Sequence, residues 1–503
     1  VFHWRHNGLI AVLFALAMLA DTVARLVAGQ PVASNNFCAE QGNVAASLAN
    51  GHGFADALGT PSGPTAWVPP VFPAYLAGVF TVFGIKTAAS LKALLLLDCV
   101  LATCCVLALV GTLDLAGFPG LKAWLAAAVF VLIIVDQEGS MGLWFSTSWF
   151  VAALGSWVLL SASCVGLGLR GWTLPLALVA SAAALTHAGT GLAAVVSIVC
   201  AWAYSARSRL LSGSNLLGAI VKSARGPATA LAAVALVVGA WTARNALVFR
   251  QIIPLKSTGW YETWLAASFT SDGVIDDAVM LGHSPYCNFK LLEEYTIEGE
   301  AVYLDGFRAK ARAVFAAKPG IYLSGIAGRA RNIFLFCDTA PHAVLLLAAI
   351  PAADVDVLVK ADLVAALGNP GPVFWTSLEL SPGEFRRRTS GLALARPNIE
   401  LGDWIRAKRH RIETESSGMR ILSEISLSFL PTACLLTMFL LWRERIPFVF
   451  GLAGVFYLTA LLPNILITHY SQHSLNFIGV HVFLGMGAVA ALARKGTCPT
   501  RCP

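Results

Sequence analysis

Glu40 stands at the head of a segment in which neither Lys nor Arg occurs between Leu26 and Ile85. An apolar run of about 20 residues precedes it, so the segment reads as a loop carried across a membrane, because cytoplasmic loops concentrate Lys and Arg. A carboxylate placed there can take a proton from a hydroxyl. Val44, Ala45, Leu48 and Ala49 recur at helical spacing over residues 36–50 and leave Glu40 and Asn43 on another side of that helix. The cations that would complement such an acid come later in the chain. Arg244 closes an apolar run and Lys256 follows it, and both can give charge-assisted hydrogen bonds to phosphate oxygens. A solvated acid on an interfacial helix and a snorkelling Arg are the plainer readings of Glu40 and Arg244.

Composition frames these residues. The 503 residues are 57% hydrophobic and 13% charged, the balance of an all-α polytopic membrane protein. A net charge of +7 in such a chain reflects loops lying against anionic lipid, and no nucleic-acid module accompanies it. Cys99, Cys104, Cys105, Cys164, Cys200 and Cys434 lie in apolar runs, where Cys acts as a small hydrophobe. Cys38, Cys287 and Cys337 fall in outer segments and are open to disulfide pairing. Cys498 and Cys502 form a lone CxxxC, and His283, Glu293 and Glu294 lack zinc-ligand spacing. No HExxH or Walker motif occurs, so no metal, cofactor or nucleotide chemistry is expected.

Apolar runs cover residues 9–28, 68–85, 89–112, 121–135, 144–167, 172–185, 188–204, 228–243, 421–442, 447–467 and 475–492. The first is long enough for an uncleaved anchor rather than a signal peptide. Segment 205–226 carries Arg207, Arg209, Lys222 and Arg225 and belongs on the cytoplasmic side, yet six runs separate it from the outer loop at Glu40. An odd number of crossings is required. The run 68–85 opens with Pro69-Pro70, closes with Phe83-Gly84, and is read as a helix lying along the outer surface. About ten spans result, with Asp114 and Lys122 inside and Asp136, Glu138 and His187 outside. Residues 1–243 then form a transmembrane core whose first outer loop is 29–88, residues 244–420 an outer loop domain, and residues 421–503 C-terminal transmembrane helices with a short tail. Within the outer domain Leu304, Phe307, Ala311, Val314 and Phe315 predict an amphipathic helix over 300–317, stopped by Lys318-Pro319-Gly320.

Two blocks carry a family resemblance. The first runs from Glu40 through Gly51-His52-Gly53-Phe54 and Gly63-Pro64-Thr65-Ala66-Trp67 to Phe83-Gly84. The second holds Trp241-Thr242-Ala243-Arg244-Asn245, Ile253-Pro254-Leu255, Tyr261-Glu262, Glu294, Gly299-Glu300 and Arg329 to Arg331. In this order they resemble the GT-C glycosyltransferases, in particular the uncharacterised bacterial branch near the protein O-mannosyltransferases and aminoarabinose transferases. The resemblance covers about residues 9–336. It implies a hexosyl- or pentosyltransferase of the bacterial inner membrane that takes a sugar from a polyprenyl-phosphate donor at the outer face. It assigns Glu40 as the base and supports Arg244, with Lys256 near it, as a donor-phosphate ligand; Lys92 and Lys86, which the topology sets outside against the usual charge bias, and Arg331 are further candidates for that role, and Asn43, Asn245, His187 and Glu262 are candidate substrate contacts. Asn43 stands where the family usually has an aromatic residue. In segment 468–476 the chain has Tyr470 but not the Arg that related enzymes place there.

A single acid suits that chemistry. A lipid phosphate is already a good leaving group, so inverting transfer needs a base for the acceptor hydroxyl and no strong general acid. The rival class is a transporter or flippase of lipid-linked sugars. Asp98, deep in an apolar run, is the feature that favours it.

Overall fold

The computed structural model describes residues 4–27, 39–59, 61–139, 145–269, 273, 275, 283–285, 289–335, 448–467 and 483–484. Among them the chain is all-helical, with one isolated bridge between Ala55 and Pro64. Among the described residues six helices are long and apolar enough to cross a membrane: α1 (Trp4–Val27), α4 (Ala88–Ala116), α6 (Phe145–Gly166), α8 (Ala188–Leu211), α9 (Leu216–Phe249) and α14 (Phe448–Leu466). Between them lie α2 (Ala39–Ala49), α3 (Val71–Phe83), α5 (Lys122–Gly139) and α7 (Thr173–Ala184). After α9 come α10 (Gly259–Phe269), α11 (Phe289–Glu298), α12 (Glu300–Ala317) and α13 (Pro319–Leu335).

The run 68–85 folds as the short α3, about 20 Å long against roughly 30 Å of bilayer hydrocarbon. Pro69 and Pro70 precede it, and Gly84 ends it at φ 91, a left-handed backbone that few other residues adopt. Thr87 then caps α4 through a reciprocal box with Ser90. The predicted 300–317 helix is α12 over Glu300–Ala317, and Lys318 caps its end.

Two expectations need correction. The segment 205–226 is not a loop: α8 continues to Leu211 and α9 begins at Leu216, so the connection is only 212–215. Arg207, Arg209, Lys222 and Arg225 thus ride on helical extensions, because hydrogen-bonded turns propagate past the point where the apolar sequence stops. The uncharged part of α9 between Arg225 and Arg244 measures about 28 Å, close to a bilayer core. The run 172–185 is not a full-length span, since α7 reaches only about 18 Å. Thr173 at its start lies beside Gly226, and Leu185 after its end accepts a bond from Val71 N at 3.1 Å.

The bundle core joins Phe14, Met18, Leu109, Leu125, Trp149, Leu159, Phe450 and Phe456. At one end a polar cluster ties α1, α4 and α5: Asn7 donates to Asp114 at 2.8 Å, Lys122 donates to Asn7 at 2.7 Å, and Lys122 pairs with Asp114. The common side expected for Asp114 and Lys122 is therefore seen as a buried ion pair. At the other end a second core packs Val44, Leu58 and Trp67 of the first loop against Tyr261, Tyr295, Tyr303, Leu304 and Phe307 of α10 to α12. The expected spans 421–442 and 475–492, the segment 468–476, and Cys38, Cys287, Cys337, Cys498 and Cys502 lie outside the described residues, apart from Phe483 and Leu484.

Candidate active site

The first loop is built around Asp56. Its carboxylate accepts from Ser62 N at 2.8 Å, Gly63 N at 3.0 Å and Ser47 Oγ at 3.0 Å, which folds residues 54–65 into a closed turn against α2. Arg244 fastens that turn to α9. Its guanidinium donates to Thr65 O at 2.8 Å and Phe54 O at 3.0 Å, and lies over the rings of Phe54 and Trp241. The end of α9 then reverses. Arg250 adopts φ 59, and segment 251–256 returns along the helix, held by Asn245 Nδ2 to Ile253 O at 2.8 Å and Trp241 Nε1 to Leu255 O at 2.9 Å. This return brings Lys256 back to the loop.

Glu40 sits in the first turn of α2, half-buried, and accepts from Trp67 Nε1 at 3.4 Å. Burial raises its carboxyl above the ordinary 4.5, and the N–H of its own residue, the Trp67 indole and the Lys256 charge oppose that rise while Glu262 adds to it. Lys256 Nζ lies 2.6 Å from Glu262 Oε1, an oxygen that also accepts from Thr258 Oγ1 at 2.8 Å. About a third of the Lys256 side chain is exposed, and an ammonium has three donors, so Glu262 orients the cation without exhausting it. His187 closes a third side. It caps α8 by accepting from Thr190 N, and burial, with Lys256 second, pushes its imidazole down to about 4. Glu40 and His187 both feel the charge of Lys256, so residues from three distant segments share one electrostatic neighbourhood.

The remaining sequence-assigned residues divide. Asn43, one turn beyond Glu40, donates to Ala57 O at 3.0 Å and accepts from Lys86 Nζ at 2.6 Å, so both ends of its amide hold the loop. Asn245, expected to meet substrate, is fully buried and spent on the α9 reversal. Arg244, expected on a phosphate, gives three of its five N–H donors to Thr65 O, Asn245 Oδ1 and Phe54 O. Lys92 is exposed on the first turns of α4, with no part in the Glu40 cluster. Arg331 lies on α13, but its side chain is outside the described part of the structure. Among the described residues no group of His, Cys, Asp and Glu has the makings of a metal site.

Trp67 and Glu300 carry weight that the sequence did not reveal. The indole ring packs 5.7 Å from Tyr261 and 5.8 Å from Tyr295, which aims its N–H at Glu40. Glu300, at 3% exposure, accepts from Thr65 Oγ1, Ala66 N, Ser257 Oγ and Tyr295 OH. Residues 166–171 spell GxGxxG, a pattern that binds dinucleotides only after a strand, and here they follow helix α6. Comparison with protein-family models, curated proteins and solved structures gives no match for the chain.

Proposed function

We propose that the protein is an inverting membrane glycosyltransferase of GT-C type that moves a sugar from a polyprenyl-phosphate donor to a hydroxyl acceptor. The observation that carries this reading is the junction of two segments more than two hundred residues apart, Trp67 Nε1 donating to Glu40 and Ser257 N, next to Lys256, donating to Ala66 O, beside a helical bundle able to span a bilayer. A carboxyl lifted by burial is a better proton acceptor than a solvated one, as base catalysis near neutrality requires. In the proposed step Glu40 takes the acceptor proton and the acceptor oxygen forms a bond to the anomeric carbon. The bond from that carbon to the phosphate oxygen breaks, its electron pair leaves with the polyprenyl phosphate, and the configuration inverts.

Lys256 is the cation best placed to hold that phosphate, because Glu262 takes one of its three donors, whereas Arg244 gives three of its five to Thr65 O, Asn245 Oδ1 and Phe54 O. About ten crossings, with this site on the outer face of the inner membrane, agree with the position of the Lys- and Arg-rich helix ends away from Glu40. The test is transfer from a labelled polyprenyl-phosphate sugar by the full chain in lipid nanodiscs, with Lys256→Met beside it. Loss of one charge-assisted contact predicts a KM for the donor raised about tenfold. An unchanged KM would remove Lys256 from the donor site.

A further inference from the structure

We infer that Glu300 is a positioning residue, which acts on Glu40 through Trp67 and sets the first loop in register with Lys256. The inference builds on the reading of Glu40 as the base. The carboxylate of Glu300 takes four donors from three segments: Thr65 Oγ1 and Ala66 N of the first loop, Ser257 Oγ beside Lys256, and Tyr295 OH of α11. Four donors are about what two carboxylate oxygens accept, so none of its capacity is left for a ligand. Its function is therefore carried by what it holds. Trp67 N donates to Thr65 Oγ1 at 3.0 Å, so the hydroxyl that Glu300 fixes also fixes the backbone of the tryptophan. Ser257 N donates to Ala66 O at 2.9 Å, which zips the residue after Lys256 to the residue before Trp67. The buried acid thus sits at the one junction where the strand of chain carrying the indole meets the strand carrying the ammonium. Lys256 and Glu262, whose charges act on Glu40, are not on the first loop. Their spacing from Glu40 is set by this junction rather than by either segment alone.

The experiment is a pH titration of the full chain in lipid nanodiscs by infrared difference spectroscopy, with the carboxyl band that disappears in Glu40→Gln assigned to Glu40. Trp67→Phe removes the N–H and keeps the ring, and is expected to move the midpoint of that band up by about half a pH unit. Glu300→Gln is expected to move it in the same direction, and the double variant no further than Trp67→Phe alone. Thr65→Val breaks the same relay more gently and is expected to shift the midpoint upward even where Glu300→Gln does not fold. Wild-type midpoints in Thr65→Val, or in folded Glu300→Gln, would overturn the inference, as would full additivity with Trp67→Phe. The band needs no substrate. Absence of sugar transfer with these shifts intact would count against the enzymatic reading and leave the positioning role standing.

Discussion

Burial shifts Glu40 and His187 in opposite senses, favouring the protonated form of Glu40 and the neutral form of His187. For His187 this becomes a dependence of stability on pH. Its folded value of about 4 lies below the ordinary 6.5, so between these values the unfolded chain binds a proton that the folded chain refuses. Stability is therefore greatest above 6.5 and falls as the pH drops toward 4. Asn at this position keeps an acceptor for the Thr190 N–H and cannot titrate. Thermal unfolding of His187→Asn in detergent is expected to lose less stability over that window than the wild type, and parallel curves would contradict the assignment. Glu40 was legible because a gap in Lys and Arg needs no structure to be seen. Trp67 and Glu300 were not. Their partners stand 27 and 235 residues away, and no local pattern encodes such pairings.

At the scale of helices, length was harder to read than location. The apolar runs mark where α1, α4, α6, α8, α9 and α14 pass, but α9 outruns its apolar part by twelve residues at its start, carrying Lys222 and Arg225 into regular helix. Conversely, α7 is shorter than its run, because Trp172 and Leu185 lie outside the helix as its caps. The bounds of the amphipathic α12 were legible, since Pro319 and Gly320 punctuate it, and Leu304 and Phe307 of its apolar face join the second core. Contacts between helices were not legible. A Cβ on Gly189 would stand 2.2 Å from Ala460 O, so α8 and α14 meet there backbone to backbone. Within an ordinary helix Gly→Ala is favourable by about 1 kcal/mol, but here the clash is with main chain and cannot be relieved by a rotamer. Gly189→Ala is expected to destabilise the bundle by about 1–3 kcal/mol, the usual cost of overpacking. A thermal unfolding midpoint at or above that of the wild type would show that the seam is looser than this geometry.

For the whole molecule, the parity argument anticipated which features share an end. It set Glu40, His187 and the segment after Arg244 on one side and Asp114 with Lys122 on the other; in the structure the first loop is bonded to the segment after Arg244 through Ser257 N and Ala66 O, and Asp114 pairs with Lys122. What parity did not convey is that the first loop and α10 to α12 form one core, so that the segment carrying Trp67 and the segment carrying Lys256 are positioned together. That shared core holds the segment bonded to Glu40 against the segment that carries the tethered Lys256. The central claim is that this carboxyl is the base for glycosyl transfer, and the most direct measurement is the rate at which Glu40→Gln moves sugar from a polyprenyl-phosphate donor in nanodiscs. The amide cannot accept the acceptor's proton, so the rate is predicted to fall about a hundredfold or more while the protein remains folded and abundant. Transfer by Glu40→Gln at the wild-type rate would contradict the claim.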